Sequence, residues 1–492
     1  IRDNLAALQI VVPLVAAPLL ILLRRRGLVT AFVLLATWIT FGISIALLHQ
    51  VLTDGPFAYA LGGWAAPWGI EYRVDLLSGF VLVLVSGIGA FVCTYSPLSV
   101  ALEVPYRTYG SFYAMFMLCL TGLLGITITG DMFNVFVFLE VSALSSYVLI
   151  SMGSDRRALP AAYRYLIMGT IGATFILIGV GLLYMMTGTL NMADLAERLD
   201  SVERTRTVIA AFGFLTVGIA LKMALFPLHL WLPNAYAYSP SVVSAFIAAT
   251  STKVSVYLLI RVFLTVFGVE YAFRDMPLVY VVMPLALIGI VSGSLVAVFQ
   301  NNVKRMLAYS SIAQVGYMVL GISLASVTGL TGGIVHLFNH GLMKGALFLA
   351  MGAIFYRAGS VHIDDLKGIG RRMPVTTAVF VVGGLGLIGV PLTVGFISKW
   401  FLVSAALQQG LWWVALIILF SSLLALVYVW RVVEVAYFEP PPEGREEVDE
   451  VPLSMLVPMS ALAAATVVFG INTEFTAGVA RAAAEMLLGV GG

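Results

Sequence analysis

Aliphatic runs of about 20 residues recur from one end of the chain to the other, and they constrain the fold more than any other feature. A helix of about 20 apolar residues is long enough to cross the hydrocarbon core of a bilayer. The composition agrees, because 61% of the 492 residues are hydrophobic and only 11% are charged. Soluble globular chains are about one quarter charged. The sequence therefore predicts an all-α polytopic membrane protein and excludes a water-soluble enzyme.

Fourteen apolar segments between polar breaks are expected to be transmembrane helices. Their predicted ranges are 5–23, 29–52, 76–97, 109–129, 131–153, 161–187, 206–228, 241–268, 277–299, 305–326, 328–357, 375–404, 411–439 and 452–472. The largest polar stretches are 53–75, 188–206, 358–374 and 440–451. The last of these begins Pro440-Pro441-Pro442 and is expected to be a solvated loop.

Basic residues are concentrated in the loops that follow odd-numbered segments, and fewer lie in the others. The basic residues of the odd-numbered loops are Arg24–Arg26, Arg107, Arg156, Arg157, Lys304, Arg305, Lys367, Arg371, Arg372 and Arg445. By the positive-inside rule both termini are expected outside the cell. We therefore expect a multi-pass protein of a bacterial or archaeal plasma (inner) membrane. A net charge of +2 gives no reason to expect a nucleic-acid partner.

Two of the predicted spans contain residues that interrupt a helix. The seventh carries Pro227, and the twelfth carries Gly386, Gly389 and Pro391 ahead of Lys399. Proline removes a backbone donor and clashes with the preceding turn. Paired interrupted helices in two halves of a chain are typical of inverted-repeat transporters. Proline kinks without functional meaning are the alternative.

One glutamate and four lysines lie deep within apolar stretches of the predicted spans, where a charge at mid-membrane costs about 3 kcal/mol on insertion scales. They are Glu140, Lys222, Lys253, Lys344 and Lys399. All four basic members are lysines, and a desolvated lysine loses its proton readily whereas arginine stays charged. This choice favours proton handling over charge pairing. Snorkelling to an interface or structural ion pairing remains the alternative.

His336, His340 and Lys344 follow one another at intervals of four residues, which places them on one face of a helix. Imidazole titrates in the working pH range and passes protons through both nitrogens. A metal or haem between the two histidines is the alternative, but other ligand types are scarce nearby. His229, just after Pro227, is expected either to line a water-filled access route or to have a structural role at the interface.

No nucleotide-binding glycine motif or P-loop is present, and Cys93 and Cys119 lie apart in apolar surroundings. No cofactor or bound metal is therefore expected, and whether the chain belongs to an enzyme is left open. Because the chain carries no energy source of its own, we expect other membrane subunits as partners.

Several stretches together resemble the antiporter-like subunit family shared by Mrp cation/proton antiporters, proton-pumping complex I and energy-converting membrane hydrogenases. They are Leu225-Phe-Pro-Leu-His-Leu-Trp-Leu-Pro-Asn-Ala-Tyr236, Ser239-Pro-Ser-Val-Val-Ser-Ala245 leading to Lys253, Gln300-Asn-Asn-Val-Lys-Arg-Met-Leu-Ala-Tyr-Ser-Ser-Ile312 and His336-Leu-Phe-Asn-His340 with Lys344. The resemblance implies fourteen helices with two inverted five-helix repeats, each holding a broken helix. The implied divisions are 1–108 (helices 1–3), 109–268 (first repeat), 277–439 (second repeat) and 440–492 (a cytoplasmic loop and helix 14).

The resemblance also implies a role for each buried charge. Glu140 is similar to the glutamate that pairs with the seventh-helix lysine, which is Lys222 here. Lys253 is similar to the lysine at the middle of the hydrophilic axis, and Lys399 to the lysine that passes protons to the exit side. The family's proton relay on the eleventh helix is similar to the group formed here by His336, His340 and Lys344.

Asn301-Asn302 resembles the Mrp and hydrogenase-type members of this family, and Lys399 sets the chain apart from the complex I subunit that has glutamate there. With the expected absence of further carboxy-terminal elements, the chain is most similar to the D-type members of the Mrp branch. The expected function is proton translocation within a multi-subunit Na⁺/H⁺ antiporter, with protons and Na⁺ as the transported ions. A proton-pumping subunit of a redox complex is the first alternative. A stand-alone secondary solute transporter is the second, and a structural scaffold is the third.

Overall fold

The computed structural model describes residues 4–202, 205–276, 279–441 and 448–490, and these residues are mostly helical. The helices are α1 Leu5–Leu22, α2 Arg26–Asp54, α3 Leu76–Glu103, α4 Tyr109–Ile128, α5 Met132–Ser151, α6 Ala158–Thr187, α7 Met192–Ser201, α8 Arg206–Met223, α9 Leu232–Tyr238, α10 Ser241–Ile260, α11 Val279–Val298, α12 Val303–Ser323, α13 Val327–Ala358, α14 Ile369–Arg372, α15 Pro374–Ile388, α16 Val394–Gln408, α17 Trp412–Phe438, α18 Leu453–Ile471 and α19 Glu474–Leu488. A π-helical turn, Arg261–Val266, extends α10.

Thirteen helices within the described ranges are long and apolar enough to cross a membrane. The predicted twelfth span is divided between two shorter apolar helices, α15 and α16. Counted together, these two complete the fourteen predicted spans. The prediction of a helical, multi-pass membrane protein is confirmed.

Parts of the polar stretches fold into structure that the hydropathy pattern did not reveal. Two short strands, β1 Phe57–Ala60 and β2 Glu71–Val74, form an antiparallel hairpin, which the all-α prediction lacked. Helices α7 and α19 are likewise additions to the predicted set. The pattern missed these elements because they are too short or too polar to span a bilayer. In the predicted loop 440–451, residues 442–447, including Arg445, lie outside the described residues, as do Arg204 and residues 277–278.

The centre of the molecule is built by α3, α10, α12 and α13. The apolar segment of α13 is buried along its whole length, and α10 and α12 are nearly as enclosed. By contrast, fewer than half of the residues in the apolar segments of α1, α6, α17 and α18 are buried, as expected for helices that face lipid. Side chains on α10 and α13 therefore meet one another deep inside the protein.

The first break separates α8 from α9. Helix α8 ends where Ala224 adopts a left-handed conformation with φ 59°. A break inside a membrane leaves backbone carbonyls without intrahelical partners, and neighbouring groups must satisfy them. The indole N–H of Trp231 donates to the carbonyl of Leu221 at 3.0 Å, and the Trp231 ring stacks on Tyr165 at 3.9 Å between centroids. The first break is thus stabilised by a hydrogen bond and a ring stack, both made by Trp231.

The second break separates α15 from α16. Gly389 ends α15 in a left-handed conformation with φ 87°. Across the break, Gly395 approaches α15 so closely that an added Cβ atom would lie 1.8 Å from the carbonyl oxygen of Gly386. Only glycine fits at this position, and the contact packs the two half-helices against each other.

We expect Gly395→Ala to destabilise the protein by about 3 kcal/mol or more, because a backbone carbonyl has to move to admit the methyl group. Gly181→Ala is the matched control, since Gly181 lies within α6 and nothing comes within 4 Å of its added Cβ. Thermal unfolding of the purified protein in detergent measures the difference. Equal melting temperatures for the two variants would contradict the tight contact.

Candidate functional site

Glu140 and Lys222 are neighbours on α5 and α8, but they do not form an ion pair. Lys222 lies in the last turn of α8, directly before the first break, and its side chain is buried. The carboxylate of Glu140 acts electrostatically on Lys222. Within the described part of the chain, Lys222 Nζ and Glu140 Oε1 have no hydrogen-bond partner. The structure therefore brings the two predicted residues near each other in an open arrangement.

A small cavity with a mixed polar and apolar lining adjoins Lys222 between α4, α5, α6, α8 and α10. Its volume is about 30 Å³, which is room for about one water molecule. Four serines contribute to its lining, namely Ser142, Ser146, Ser251 and Ser255. Ser251 and Ser255 flank Lys253 in the sequence of α10. The cavity thus extends the polar surroundings of Lys222 toward the helix that carries the next buried lysine.

Lys253 is fully buried at the centre of the molecule. Its Nζ donates to the carbonyl of Ala248 at 2.5 Å and to Thr252 Oγ1 at 3.3 Å. Its charge acts on the three titratable residues of α13, which are His336, His340 and Lys344. Lys253 is therefore the electrostatic link between α10 and α13.

The two histidines of α13 lie on one helical face, as their spacing predicts. Their rings are nearly parallel, at 5° to each other, with centroids 6.0 Å apart. His336 Nδ1 makes a 2.7 Å hydrogen bond with Ser398 Oγ of α16. His340 is completely buried, and among the described residues neither of its ring nitrogens has a partner. A buried imidazole of this kind is unusual unless water or a moving proton satisfies it.

Lys344 is held by α12. Its Nζ donates to the carbonyl of Leu307 at 2.7 Å and to Ser310 Oγ at 2.5 Å. Both acceptors lie on α12, so Lys344 forms a polar connection between the two most enclosed helices of the protein. The sequence predicted the buried lysine but not its acceptors.

Lys399 reaches across the second break to the end of α15. Its Nζ donates to the carbonyls of Leu387 and Ile388 at 2.9 and 3.0 Å, and to Ser422 Oγ at 2.8 Å. A cation near the carboxyl end of a helix is stabilised by the helix dipole. Lys399 Nζ also lies 5.0 Å from the centroid of the Tyr317 ring, which packs edge-on against His336. Tyr317 thus fills the space between the last two groups.

We refer to the seven predicted site residues as the buried axis. They are Glu140 on α5, Lys222 on α8, Lys253 on α10, His336, His340 and Lys344 on α13, and Lys399 on α16. Glu140 is half-buried and the other six are buried. Along α13, His340 lies between His336 and Lys344. Charge effects join Glu140 to Lys222 and Lys253 to the three residues of α13, and Tyr317 lies between His336 and Lys399. The hydroxyl partners Ser310, Ser398 and Ser422 were missed, since serine is common in membrane helices and its spacing carries no signal.

A second polar cluster, which sequence reasoning also missed, joins α3, α10 and α12. Lys304, predicted simply to end a span, is only 4% exposed and donates to Ser241 Oγ at 2.9 Å. Glu103 accepts from the backbone N–H of Ser241 at 2.9 Å. A cavity of about 220 Å³ adjoins the cluster and includes Asp155 and Arg157 in its wall. Hydrogen bonding from Arg157 lowers the pKa of Asp155, so this cavity has a charged, water-accessible rim.

His229 is half-buried just after the first break. Its ring stacks on Phe226 with centroids 5.4 Å apart. Its Nδ1 atom is buried and has no partner within the described residues. Both interpretations of this residue, at an access route or in an interfacial structural role, stay open.

The chain matches the family described as "NADH:quinone oxidoreductase/Mrp antiporter, TM" over residues 129–425. Among curated relatives, it is 43% identical to NADH-quinone oxidoreductase subunit N of Desulforudis audaxviator, with 96% of each chain covered. It is 31% identical to the D-type subunit of the Na(+)/H(+) antiporter of Bacillus subtilis, with 99% of this chain and 97% of the relative covered.

A solved structure with the same fold is a chain of the membrane-bound sulfane sulfur reductase, an archaeal respiratory membrane complex. The two chains are 30% identical, and the TM-score is 0.90, with 99% of this chain and 98% of its counterpart covered. The matched residues 129–425 include every member of the buried axis. On this match and on the full-length relatives, the chain belongs to the NADH:quinone oxidoreductase/Mrp antiporter transmembrane family, as an antiporter-like, ion-translocating membrane subunit.

Proposed function

We propose that this chain translocates protons along the buried axis, as a subunit of a multi-subunit Na⁺/H⁺ antiporter of the Mrp type. The observation that carries the proposal is the set of titratable groups inside the protein, in which Lys222 and His340 lack hydrogen-bond partners among the described residues. Groups that only stabilised the fold would be paired, because an unpaired buried polar group costs about 1–3 kcal/mol. Groups that exchange protons need partners that change.

The lysines differ in how many acceptors surround them. An ammonium group presents three N–H donors. Within the described structure, Lys222 has no acceptor, Lys344 has two, and Lys399 has three. In this arrangement the protonated form therefore has the most hydrogen-bond acceptors at Lys399 and the fewest at Lys222. Acceptors that stabilise the ammonium form draw a proton toward Lys399, which supports proton movement along the axis in the direction of α16.

In the proposed cycle, Glu140 closes onto Lys222 and stabilises its positive charge. That charge disfavours a second proton on Lys253, because like charges repel strongly in a low-dielectric interior. The proton of Lys253 then moves to His340, which lies between Lys344 and His336 on α13, and onward through His336 to Lys399. Lys344 exchanges protons with His340 from its other side. When Glu140 moves away from Lys222, the positive charge on Lys222 is no longer stabilised. Lys253 can then be protonated again, and the axis returns to its starting state.

The cluster of Glu103, Ser241 and Lys304 supplies a route for water to the middle of the axis. Lys304 lies one helical turn from Leu307, whose carbonyl accepts from Lys344. The cavity beside Lys304 is large enough for several water molecules. We assign it as the access route by which protons reach Lys344 from one face of the membrane.

We also propose how the helices of the chain are arranged in the membrane. The two breaks fall in corresponding positions of 109–268 and 277–439, which supports two inverted five-helix repeats after the amino-terminal section 1–108. The section 440–492 then contributes a cytoplasmic loop and the last membrane helix. The distribution of basic residues favours both termini lying outside a bacterial or archaeal plasma membrane.

A redox-driven complex is the second candidate assembly. The 43% identity to a quinone oxidoreductase subunit favours it, whereas Lys399 favours the antiporter. Asn301 and Asn302 are similar to both Mrp and hydrogenase-type subunits and do not separate the two. The buried axis works in the same way in both assemblies, since it needs only an electrostatic effect from outside the chain that shifts the protonation of its charged groups. The assemblies differ in their companion subunits.

Mass spectrometry of the assembly purified in mild detergent distinguishes the candidates. We expect companions that are small or antiporter-like membrane subunits, without flavin or iron–sulfur proteins. Co-purified iron–sulfur or hydrogenase-like subunits would establish the redox complex instead. A solitary chain that transports an organic solute would contradict both.

Glu140→Ala and Lys222→Ala are each expected to abolish proton transport while the assembly remains intact, because the switching pair is lost. Lys367→Ala is the control, since Lys367 forms a 2.8 Å surface ion pair with Glu439 and lies outside the axis. Proton flux into proteoliposomes, with subunit content checked on gels, measures the effect. Retained flux in either axis variant would refute the mechanism.

Ser398→Ala is expected to slow proton flux about fivefold, since one hydrogen bond of about 1 kcal/mol orients His336. Ser292→Ala is the comparison variant, because Ser292 Oγ is buried without a partner in the described structure. Flux is measured in the same proteoliposomes. Equal rates for the two variants would show that the orientation of His336 has no part in transport.

A further inference from the structure

A cationic cavity lies at one end of α1, α2 and α4, apart from the buried axis. Its volume is about 280 Å³. Three arginines and two tyrosines form most of its polar wall, namely Arg24, Arg26, Arg107, Tyr106 and Tyr109. Its lining contains no acidic residue among the described ones. A cavity with this charge requires an anion.

Arg26 is oriented by aromatic rings and lacks an acceptor. Its guanidinium carbon lies 4.3 Å from the centroid of the Tyr106 ring and 4.8 Å from that of Tyr109. These cation–π contacts fix the plane of the guanidinium group. Its Nε atom is buried and has no hydrogen-bond partner in the described structure. A buried donor without an acceptor requires a water molecule or a ligand atom beside it, and the cavity has room for either.

Two helices begin at this cavity. Helix α2 starts at Arg26 and has no side-chain cap. The first turn of a helix leaves backbone N–H groups free and carries a partial positive charge. Helix α4 instead continues a 3₁₀ turn, Tyr106–Thr108, whose Tyr106 carbonyl already accepts from the N–H of Tyr109. The amino-terminal end of α2 therefore adds to the attraction that the arginines exert on an anion.

The surroundings of the cavity identify the source of the anion. Ile21, Leu22 and Leu28 are 56%, 75% and 53% exposed beside it. They belong to the ends of α1 and α2, which are membrane-spanning by length and composition. The cavity thus lies where apolar helix surface meets the polar interface. Basic pockets between transmembrane helices bind the headgroups of anionic lipids.

We propose that this cavity binds the phosphate of an anionic phospholipid. The guanidinium groups of Arg26 and Arg107 donate to the phosphate oxygens, and Arg24 adds charge at the rim. The acyl chains lie along the exposed apolar residues of α1 and α2. The site is independent of the buried axis, so its failure would leave the proton-transport proposal untouched.

The test compares lipid retention by the purified assembly with three arginines replaced together, R24Q/R26Q/R107Q. The control R156Q/R164Q/R371Q removes the same charge from exposed arginines outside the cavity. Each protein is incubated with dioleoylphosphatidylglycerol, dioleoylphosphatidylcholine or inorganic phosphate, and bound molecules are counted by native mass spectrometry. The single variant R107Q, at an exposed residue, keeps the test valid where the triple variant fails to fold.

We expect the wild-type and control proteins to retain phosphatidylglycerol, and the triple variant to bind it at least tenfold more weakly. R107Q is expected to weaken binding severalfold. Equal retention by R107Q and the wild type, or by the triple and control variants, would overturn the site. Equal binding of phosphatidylcholine, or saturation by inorganic phosphate alone, would overturn its assignment to an anionic lipid.

Discussion

The free-energy cost of placing charge inside a membrane governs this structure. Four lysines and a glutamate lie within its spans, and each must be offset by acceptors that an unbroken helix does not offer. The second break supplies them directly, because the carbonyls that end α15 accept from Lys399. At the first break, the indole N–H of Trp231 donates to the carbonyl of Leu221, and Lys222 has no acceptor in the described structure. The two breaks thus create opposite environments for two similar lysines.

Between the breaks, α13 carries the three residues of the proposed relay, and its apolar segment is buried throughout. His336 contacts α16 through the hydroxyl of Ser398, and Lys344 contacts α12 through the hydroxyl of Ser310 and the carbonyl of Leu307. Hydroxyl groups both donate and accept, so they can partner a lysine or histidine in either protonation state. A row of such pairs is compatible with a moving proton. A row of carboxylate–lysine ion pairs would hold it in place.

Much of this architecture is predictable from the sequence, for physical reasons. Span length, proline and glycine breaks, and lysines within apolar runs are local features that a bilayer forces on any chain. The acceptors of Lys344, the burial of Lys304 and the open state of Glu140 and Lys222 depend on how distant helices pack, which no local pattern encodes. The β1–β2 hairpin and α19 escaped prediction because neither is a membrane span.

The central claim is that protons pass through Lys253, the residue that links α10 to α13. Proton flux through proteoliposomes containing the assembly with Lys253→Met tests it most directly. Methionine is close to lysine in shape and carries no titratable group, so the packing around α10 is preserved. The account predicts an intact assembly with no proton flux. Flux at the wild-type rate through that assembly would contradict it.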